Sequence, residues 1–144
     1  MSNSTLYDSD FYGWAFQQAS LLRSGAYAEA DIANIVEELE TMGRSERREL
    51  INRLAVLLTH LLKWDAQPAL RGTGWRLTIR EQRRQVARVL ADNPSLRRQF
   101  GELLSDAFGD ALLAAQRETG LLESAFPPMC PWPAEQVLRG DSPD

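Results

Sequence analysis

The chain has 144 residues, of which 44% are hydrophobic and 25% are charged, and its formal net charge is −4. No stretch approaches the ~18 consecutive apolar residues of a membrane span, the polar N-terminus does not resemble a secretory signal, and a single cysteine excludes an intramolecular disulfide. This length and composition are typical of one globular domain with its own hydrophobic core. We therefore expect one domain over residues 1–144 that lies in the cytoplasm and makes no contact with a membrane.

Two amphipathic helices are predicted in the first third of the chain. The first begins at Asp8 or Ser9, both good N-cap residues, and ends before Gly25. The second is capped by Asp31 and is stopped by Gly43. Apolar residues recur at helical spacing on one face of each helix, namely Phe11, Trp14, Ala15, Leu21 and Leu22 on the first and Ile32, Ile35, Val36, Leu39 and Met42 on the second.

The third predicted helix is the longest and has the clearest pattern. It begins at Ser45, or at Arg44, and ends at Pro68. Two rows of apolar residues run along this helix, and the second is offset from the first by one residue. The first row is Leu50, Leu54, Leu57, Leu61 and Trp64, and the second is Ile51, Ala55, Leu58 and Leu62. At about 100° per residue, the two rows cover half of the circumference, which predicts a helix buried on two neighbouring sides at the centre of a bundle.

Two further helices are predicted after the turn at residues 68–74. The fourth is capped by Thr73 and ends near Asp92. The fifth opens at Asn93-Pro94, where the proline suits the first helical turn, and ends near Thr119.

The C-terminal segment, residues 121–144, is rich in proline and should run mostly extended across a core formed by residues 6–120. One short turn of helix is predicted within it, at residues 134–138. The chain contains no alternating strand pattern longer than four residues. The sequence therefore predicts an all-α bundle of about five helices with a mostly extended C-terminal segment.

Several short blocks of sequence occur together in a recognisable order. They are Leu6-Tyr7-Asp8, Asp10-Phe11-Tyr12 with Trp14, residues 34–40, Gly43-Arg44-Ser45-Glu46, residues 60–64, Gly74-Trp75 with Thr78-Ile79 and Gln82-Arg83, and Cys130-Pro131-Trp132. The ordered set resembles the bacterial family known as domain of unknown function 29 over residues 6–139. This resemblance implies an all-helical single domain, and it carries no activity, cofactor or catalytic residue.

His60 is the only histidine, and helical geometry places it at the edge of the apolar face of the third helix, beside Trp64 and near Lys63. It could be a general base or metal ligand, or a half-buried side chain hydrogen-bonded to a neighbouring carbonyl or carboxylate. A transition metal would require carboxylates from another helix, such as Glu38, and the Glu-x-x-His pairs of di-metal bundles are absent from the sequence. We therefore favour the structural role and expect no metal and no cofactor.

Charge is strongly segregated along the chain, with a net charge of −6 over residues 1–43 and +6 over residues 71–98. Within the basic segment, one face of the fourth helix carries four arginines, Arg76, Arg80, Arg83 and Arg84. This face could bind a phosphate ligand or a nucleic acid. Because the first, second and fifth helices are acidic, we favour pairing of these arginines within the molecule.

Two glutamines are predicted on apolar faces, Gln18 on the first helix and Gln82 on the fourth. Buried amides require hydrogen-bond partners, so each should bond the other, a capping carbonyl or a polar neighbour. They could fix the register of the helices, or they could form the polar floor of a small pocket lined by Trp14, Trp64 and Trp75. In that second case the binding residues would be His60, Lys63, Trp64, Trp75, Glu38 and Gln82.

The sequence contains no nucleophile motif and no phosphate-binding loop. We therefore interpret the protein as an interaction module that binds another protein or a second copy of itself. Binding of a nucleic acid or a phosphate ligand through the arginine face is the alternative, and an enzyme or metal site that uses His60 with Glu38 is the third hypothesis.

Overall fold

The computed structural model describes residues 3–140, and the side chains from Leu6 onward. These residues form six α-helices and no strand, which confirms the all-α prediction. The helices are α1 (Asn3–Ser9), α2 (Phe11–Arg23), α3 (Ile32–Ala66), α4 (Thr73–Asp92), α5 (Phe100–Thr119) and α6 (Ala134–Arg139). None of the helices in this part of the chain is long and apolar enough to cross a membrane.

The chain divides into two compact units, an N-terminal unit within Met1–Ser45 and a C-terminal unit within Glu46–Asp144. The helix α3 contributes residues to both units. The expectation that the whole chain is one domain stays a prediction.

The prediction that Gly43 separates two helices is wrong, because α3 continues through it without interruption for 35 residues. A glycine within a helix costs only about 1 kcal/mol, which neighbouring interactions can offset. Arg44 supplies such interactions, with a guanidinium nitrogen 3.4 Å from Glu37 Oε1 and 3.1 Å from Thr41 Oγ1. The second and third predicted helices are therefore one.

Three predicted helix starts are also wrong in detail. The side chain of Asp10, and not of Asp8 or Ser9, caps α2 by accepting a hydrogen bond of 3.0 Å from the Gly13 N–H. Thr73 is the first residue of α4 and not its cap. Between Asn93 and α5 lies a 3₁₀ segment, Pro94–Gln99, so that α5 begins six residues after the predicted start.

The core of the C-terminal unit lies around the second half of α3, where the first predicted apolar row is buried, and so are Leu58 and Leu62 of the second row, whereas Ile51 and Ala55 of that row are only partly buried. The fully buried side chains include Leu50, Leu54, Leu57, Leu58 and Leu62 of α3, Ile79 and Val86 of α4, Leu103, Ala107 and Ala111 of α5, and Val137 of α6. Each of the leucine, isoleucine and valine side chains among them stabilises the unit by about 1.5–3 kcal/mol when it leaves water.

The C-terminal segment is less extended than predicted. It contains a 3₁₀ turn, Glu123–Ala125, and the helix α6, whose predicted position is confirmed. Arg83 of α4 holds α6 in place, because its guanidinium donates hydrogen bonds of 3.0 Å to the carbonyls of Val137 and Gly140. The last carbonyls of a helix have no N–H donor within the helix, and Arg83 supplies donors to these two at the C-terminal end of α6.

Candidate functional site

The N-terminal unit contains an apolar groove of about 450 Å³ between α2 and the first turns of α3. Its lining residues are Phe11, Trp14, Ala15, Gln18, Ala19 and Leu22 of α2 and Ile35, Glu38, Leu39 and Met42 of α3. Leu39 and Met42 are 62% and 63% exposed, and Phe11 is 50% exposed. The two predicted apolar faces therefore meet, and α1, the third helix of this unit, leaves these three side chains half exposed or more.

Gln18 lies in the wall of this groove and is 2% exposed. Its Oε1 accepts a hydrogen bond of 2.7 Å from the backbone N–H of Asp31, at the start of α3. Because an N–H can only donate, this bond fixes the orientation of the amide. The Nε2 donor of Gln18 is buried and has no partner in the described part of the chain.

Asp31 is the second polar residue that connects α2 to α3. Its carboxylate accepts a hydrogen bond of 2.8 Å from the Asn34 side chain and one of 3.1 Å from the indole N–H of Trp14. These two donors lower the pKa of the Asp31 carboxyl, that of Asn34 having the larger effect. Trp14, which is 3% exposed, is thereby fixed beneath the groove.

Glu38 is the one acidic residue in the groove wall, and its carboxylate accepts a short hydrogen bond from the Tyr7 hydroxyl. This bond, together with partial burial and the nearby charge of Glu38, raises the pKa of Tyr7 to about 12. The Tyr7 ring also packs against Trp14, with ring centroids 4.7 Å apart. The prediction singled out Glu38 but missed Tyr7, because nothing in the helical spacing of α3 indicates which residue of α1 it will meet.

His60 of the C-terminal unit is half-buried, and its Nδ1 lies 2.9 Å from the carbonyl oxygen of Val56. A carbonyl can only accept, so Nδ1 carries the proton and Nε2 is the acceptor in the neutral ring. His60 borders a shallow depression between α3 and α5 that Asp110 and Glu118 also line. Bonding to a neighbouring carbonyl is the structural role that we favoured for it from sequence.

Lys63 and Trp64 are both buried, although Lys63 carries a charge. The Lys63 ammonium lies 3.0 Å from Glu118 Oε1 and 4.9 Å from the centre of the Trp75 ring. The Trp64 ring has the guanidinium of Arg71 5.0 Å from its centre. The cations of Lys63 and Arg71 therefore both have partners within the C-terminal unit, which indicates that these side chains and the two tryptophans have a structural role.

A small cavity of about 130 Å³ does lie beside Trp64. Its lining residues are Leu61, Trp64, Asp65, Arg83, Trp132 and Gln136, so neither Trp75 nor His60 contributes to it. Gln82 is buried on α4, and its Oε1 has no hydrogen-bond partner among residues 3–140. Within the same residues, no group of three His, Cys, Asp or Glu side chains is placed to hold a metal ion.

The four arginines predicted on one face of α4 have different surroundings. Arg83 binds the carbonyls at the end of α6, and the Arg76 guanidinium lies 5.8 Å from the centre of the Trp64 ring. Arg80 and Arg84 are exposed, as is Arg88, and none of these three has a carboxylate within 4.0 Å in the described part of the chain. The expected pairing within the molecule is therefore not found for them.

Comparison with known proteins gives a family and no activity. No curated protein and no solved structure is significantly similar to this chain. The model of the family described as domain of unknown function DUF29 matches residues 6–142, which is nearly the whole chain and includes both the groove and the arginines of α4. The chain belongs to the DUF29 family.

Proposed function

We propose that this protein is an interaction module whose N-terminal unit binds an amphipathic helix that carries basic residues. The observation that carries the proposal is the apolar groove between α2 and α3, whose rim residues Leu39 and Met42 are more than half exposed. Its acidic surroundings and its polar wall residues support the choice of partner.

The exposed apolar surface is concentrated in the N-terminal unit. Of the fifteen large apolar side chains exposed among the described residues, nine lie between Phe11 and Met42, although this unit is the smaller one. Contiguous apolar patches on a protein surface are costly in water and mark places where another molecule binds. This distribution supports a binding role for the N-terminal unit.

The shape of the groove favours a helix as its occupant. Two helices that diverge from a common apolar floor accept the apolar side chains of a third helix, spaced by three or four residues. The floor offers Trp14, Ala15 and Ala19, so large and small residues are both available for interdigitation. An extended peptide would instead leave its backbone N–H and C=O groups unpaired against this apolar surface.

The charge of the unit favours a basic partner. Residues 1–43 have a net charge of −6, and Glu38 places a carboxylate in the groove wall itself. An arginine or lysine next to the apolar side chains of the partner would pair with this carboxylate. A second N-terminal unit is a poor occupant, because the two acidic surfaces would repel each other.

A synthetic peptide of about 18 residues tests the proposal, with leucines at helical spacing and lysines beside them. We expect calorimetry to detect binding to the full chain, and Leu39→Glu, which places a charge on the rim, to weaken it at least tenfold. Leu113→Glu is the matched control, since Leu113 is likewise 62% exposed but lies on α5. The same peptide with glutamates in place of its lysines should bind at least tenfold more weakly.

Absence of peptide binding at about 200 µM, or equal weakening by Leu39→Glu and Leu113→Glu, would contradict the proposal. Circular dichroism of each variant shows whether it is folded. Both leucines are exposed, so neither substitution should change the melting temperature by more than a few degrees.

Binding of nucleic acid or phosphate through α4 has less support. Of the four arginines that would form the site, Arg83 is engaged with α6 and Arg76 with the Trp64 ring. Arg76, Arg80 and Arg84 are exposed and have no ion pair in the described part of the chain, but only Arg80 and Arg84 also lack a contact with an aromatic ring there.

A further inference from the structure

One face of α4 has the chemistry that the groove requires of a partner. Leu77, Arg80, Arg84 and Arg88, here called the arginine strip, follow each other at intervals of three or four residues and so lie on one side of the helix. All four are exposed, and Leu77 is 54% exposed. The strip is thus an apolar side chain with basic neighbours, and the same face of α4 carries one carboxylate, that of Glu81.

We propose that the groove of one copy of this protein binds the arginine strip of a second copy. This inference rests on the proposed function and names its partner. Leu77 would enter the groove, the aliphatic stems of the arginines would cover its rim, and Arg80 or Arg84 would pair with Glu38. One contact would thereby account for two features, the uncovered groove and the arginines that have no ion pair in the described part of the chain.

Charge complementarity selects this arrangement over the alternatives between two copies. The segment that contains the groove has a net charge of −6, and residues 71–98, which contain the strip, have a net charge of +6. Contact of groove with groove or of strip with strip would oppose like charges, whereas contact of groove with strip pairs unlike charges. Each contact therefore joins two different surfaces, the groove of one copy and the strip of the other.

Contacts between two different surfaces predict how variants behave when they are mixed. If two such contacts are related by a twofold axis, they close a dimer, and each copy uses its groove once and its strip once. A copy with a damaged groove still has an intact strip, and a copy with a damaged strip still has an intact groove. A mixture of the two can therefore form one of the two contacts, which an interface between identical surfaces could not do.

Sedimentation velocity of the full chain, over a range of concentrations up to about 200 µM, tests the inference. We expect self-association that weakens at least fivefold when the salt concentration rises from about 0.05 to 0.5 M. Leu39→Glu damages the groove, and the triple variant Arg80→Gln, Arg84→Gln and Arg88→Gln damages the strip. Each alone should be a monomer, and an equimolar mixture of the two should form a one-to-one heterodimer.

The matched control is Arg97→Gln with Arg98→Gln, which removes two exposed arginines of the same basic segment outside the strip. It should associate as the wild type does. A wild type that is monomeric throughout, an oligomer that survives the strip variant, or variants that do not complement each other would each overturn the inference. If the wild type is a monomer but binds the synthetic basic peptide, the proposed function stands and the inference about the second copy fails.

Discussion

A hydrogen bond between Tyr7 and Glu38 links α1 to α3 in the N-terminal unit and raises the pKa of Tyr7. The Tyr7 hydroxyl donates to the Glu38 carboxylate, and Glu37 and Asp8 add further negative potential nearby. Ionisation of Tyr7 would remove the donor and place two negative charges together, which is why its pKa is raised to about 12. The bond also holds the Glu38 carboxylate in a fixed position in the groove wall.

Replacement of Glu38 by Ala should lower the pKa of Tyr7 towards its ordinary value of about 10, because it removes both the hydrogen-bond acceptor, which is the largest cause of the shift, and the nearby negative charge. In the wild type, folding keeps a proton on Tyr7 that the unfolded chain loses above about pH 10. The stability that this bond contributes is therefore fully present below pH 10 and is lost as the pH rises from about 10 to 12. NMR of chains with ¹³C-labelled tyrosine measures the titration directly.

Urea unfolding at pH 9 and at pH 11.5 measures how much the free energy of unfolding falls between the two pH values, in the wild type and in the control variant Tyr7→Phe. The phenylalanine variant lacks the titrating group, so its loss of stability between the two pH values should be smaller than that of the wild type. An unchanged Tyr7 titration in Glu38→Ala would show that the hydrogen bond to Glu38 is not the cause of the raised pKa.

For the polar residues of the groove, the sequence predicts burial but not the hydrogen-bond partner. Helical spacing placed Gln18 on the apolar face of its helix, and the structure confirms that it is buried. Its partner, the backbone N–H of Asp31, depends on the path of the residues between α2 and α3, which no periodicity describes. The exposure of Leu39 was missed for a related reason, since a pattern identifies an apolar face but not what covers it.

At the scale of single elements, α3 shows when a glycine ends a helix. Gly25 and Gly43 were both predicted to end helices, but Gly43 does not adopt a positive φ, whereas Gly25 and Gly120 do, with values of 79° and 75°. A left-handed residue turns the chain out of the helix, and glycine adopts it without a steric penalty. Gly43 instead keeps the helical conformation, with Arg44 bonded to side chains of the preceding turns.

Gly43→Ala should stabilise the protein by about 0.5–1 kcal/mol, because alanine loses less conformational entropy than glycine in a helix. The new methyl group meets no atom within 4 Å. Gly120→Ala is the matched control, since its methyl group also meets no atom within 4 Å but its φ of 75° is unfavourable for alanine. It should destabilise by about 1 kcal/mol. Urea unfolding of the wild type, Gly43→Ala and Gly120→Ala measures the two changes in stability. Equal effects of the two substitutions would contradict the role assigned to the positive φ of Gly120.

At the scale of the whole molecule, burial is distributed very unevenly between the two units. All 21 buried apolar side chains of the main core cluster belong to the C-terminal unit. In the N-terminal unit, only Trp14 and Gln18 are buried among the residues whose side chains are described. Since the burial of apolar surface dominates the free energy of folding, the two parts of the chain should differ in local stability.

Hydrogen exchange of backbone amides should reveal this difference within one continuous helix. We expect amides of residues 36–44 in α3 to exchange at least about a hundredfold faster than those of residues 50–62, which corresponds to about 3 kcal/mol between the two local opening reactions. Both stretches have the same helical hydrogen bonds, so helix formation alone predicts no such difference. Mass spectrometry after timed exchange, on a dilute sample of the full chain, measures both stretches together.

Uniform protection along α3 in the dilute sample would contradict this prediction, because it would require the N-terminal unit to be as stable as the core without comparable burial. A gradient of amide exchange rates along α3 that is steep in the dilute sample and shallower in a concentrated one would indicate that the groove becomes occupied. Occupation of the groove between α2 and α3 would bury Leu39 and Met42 and so supply the apolar burial that the unit lacks. In Leu39→Glu the gradient should remain at both concentrations, because the damaged groove can no longer be covered.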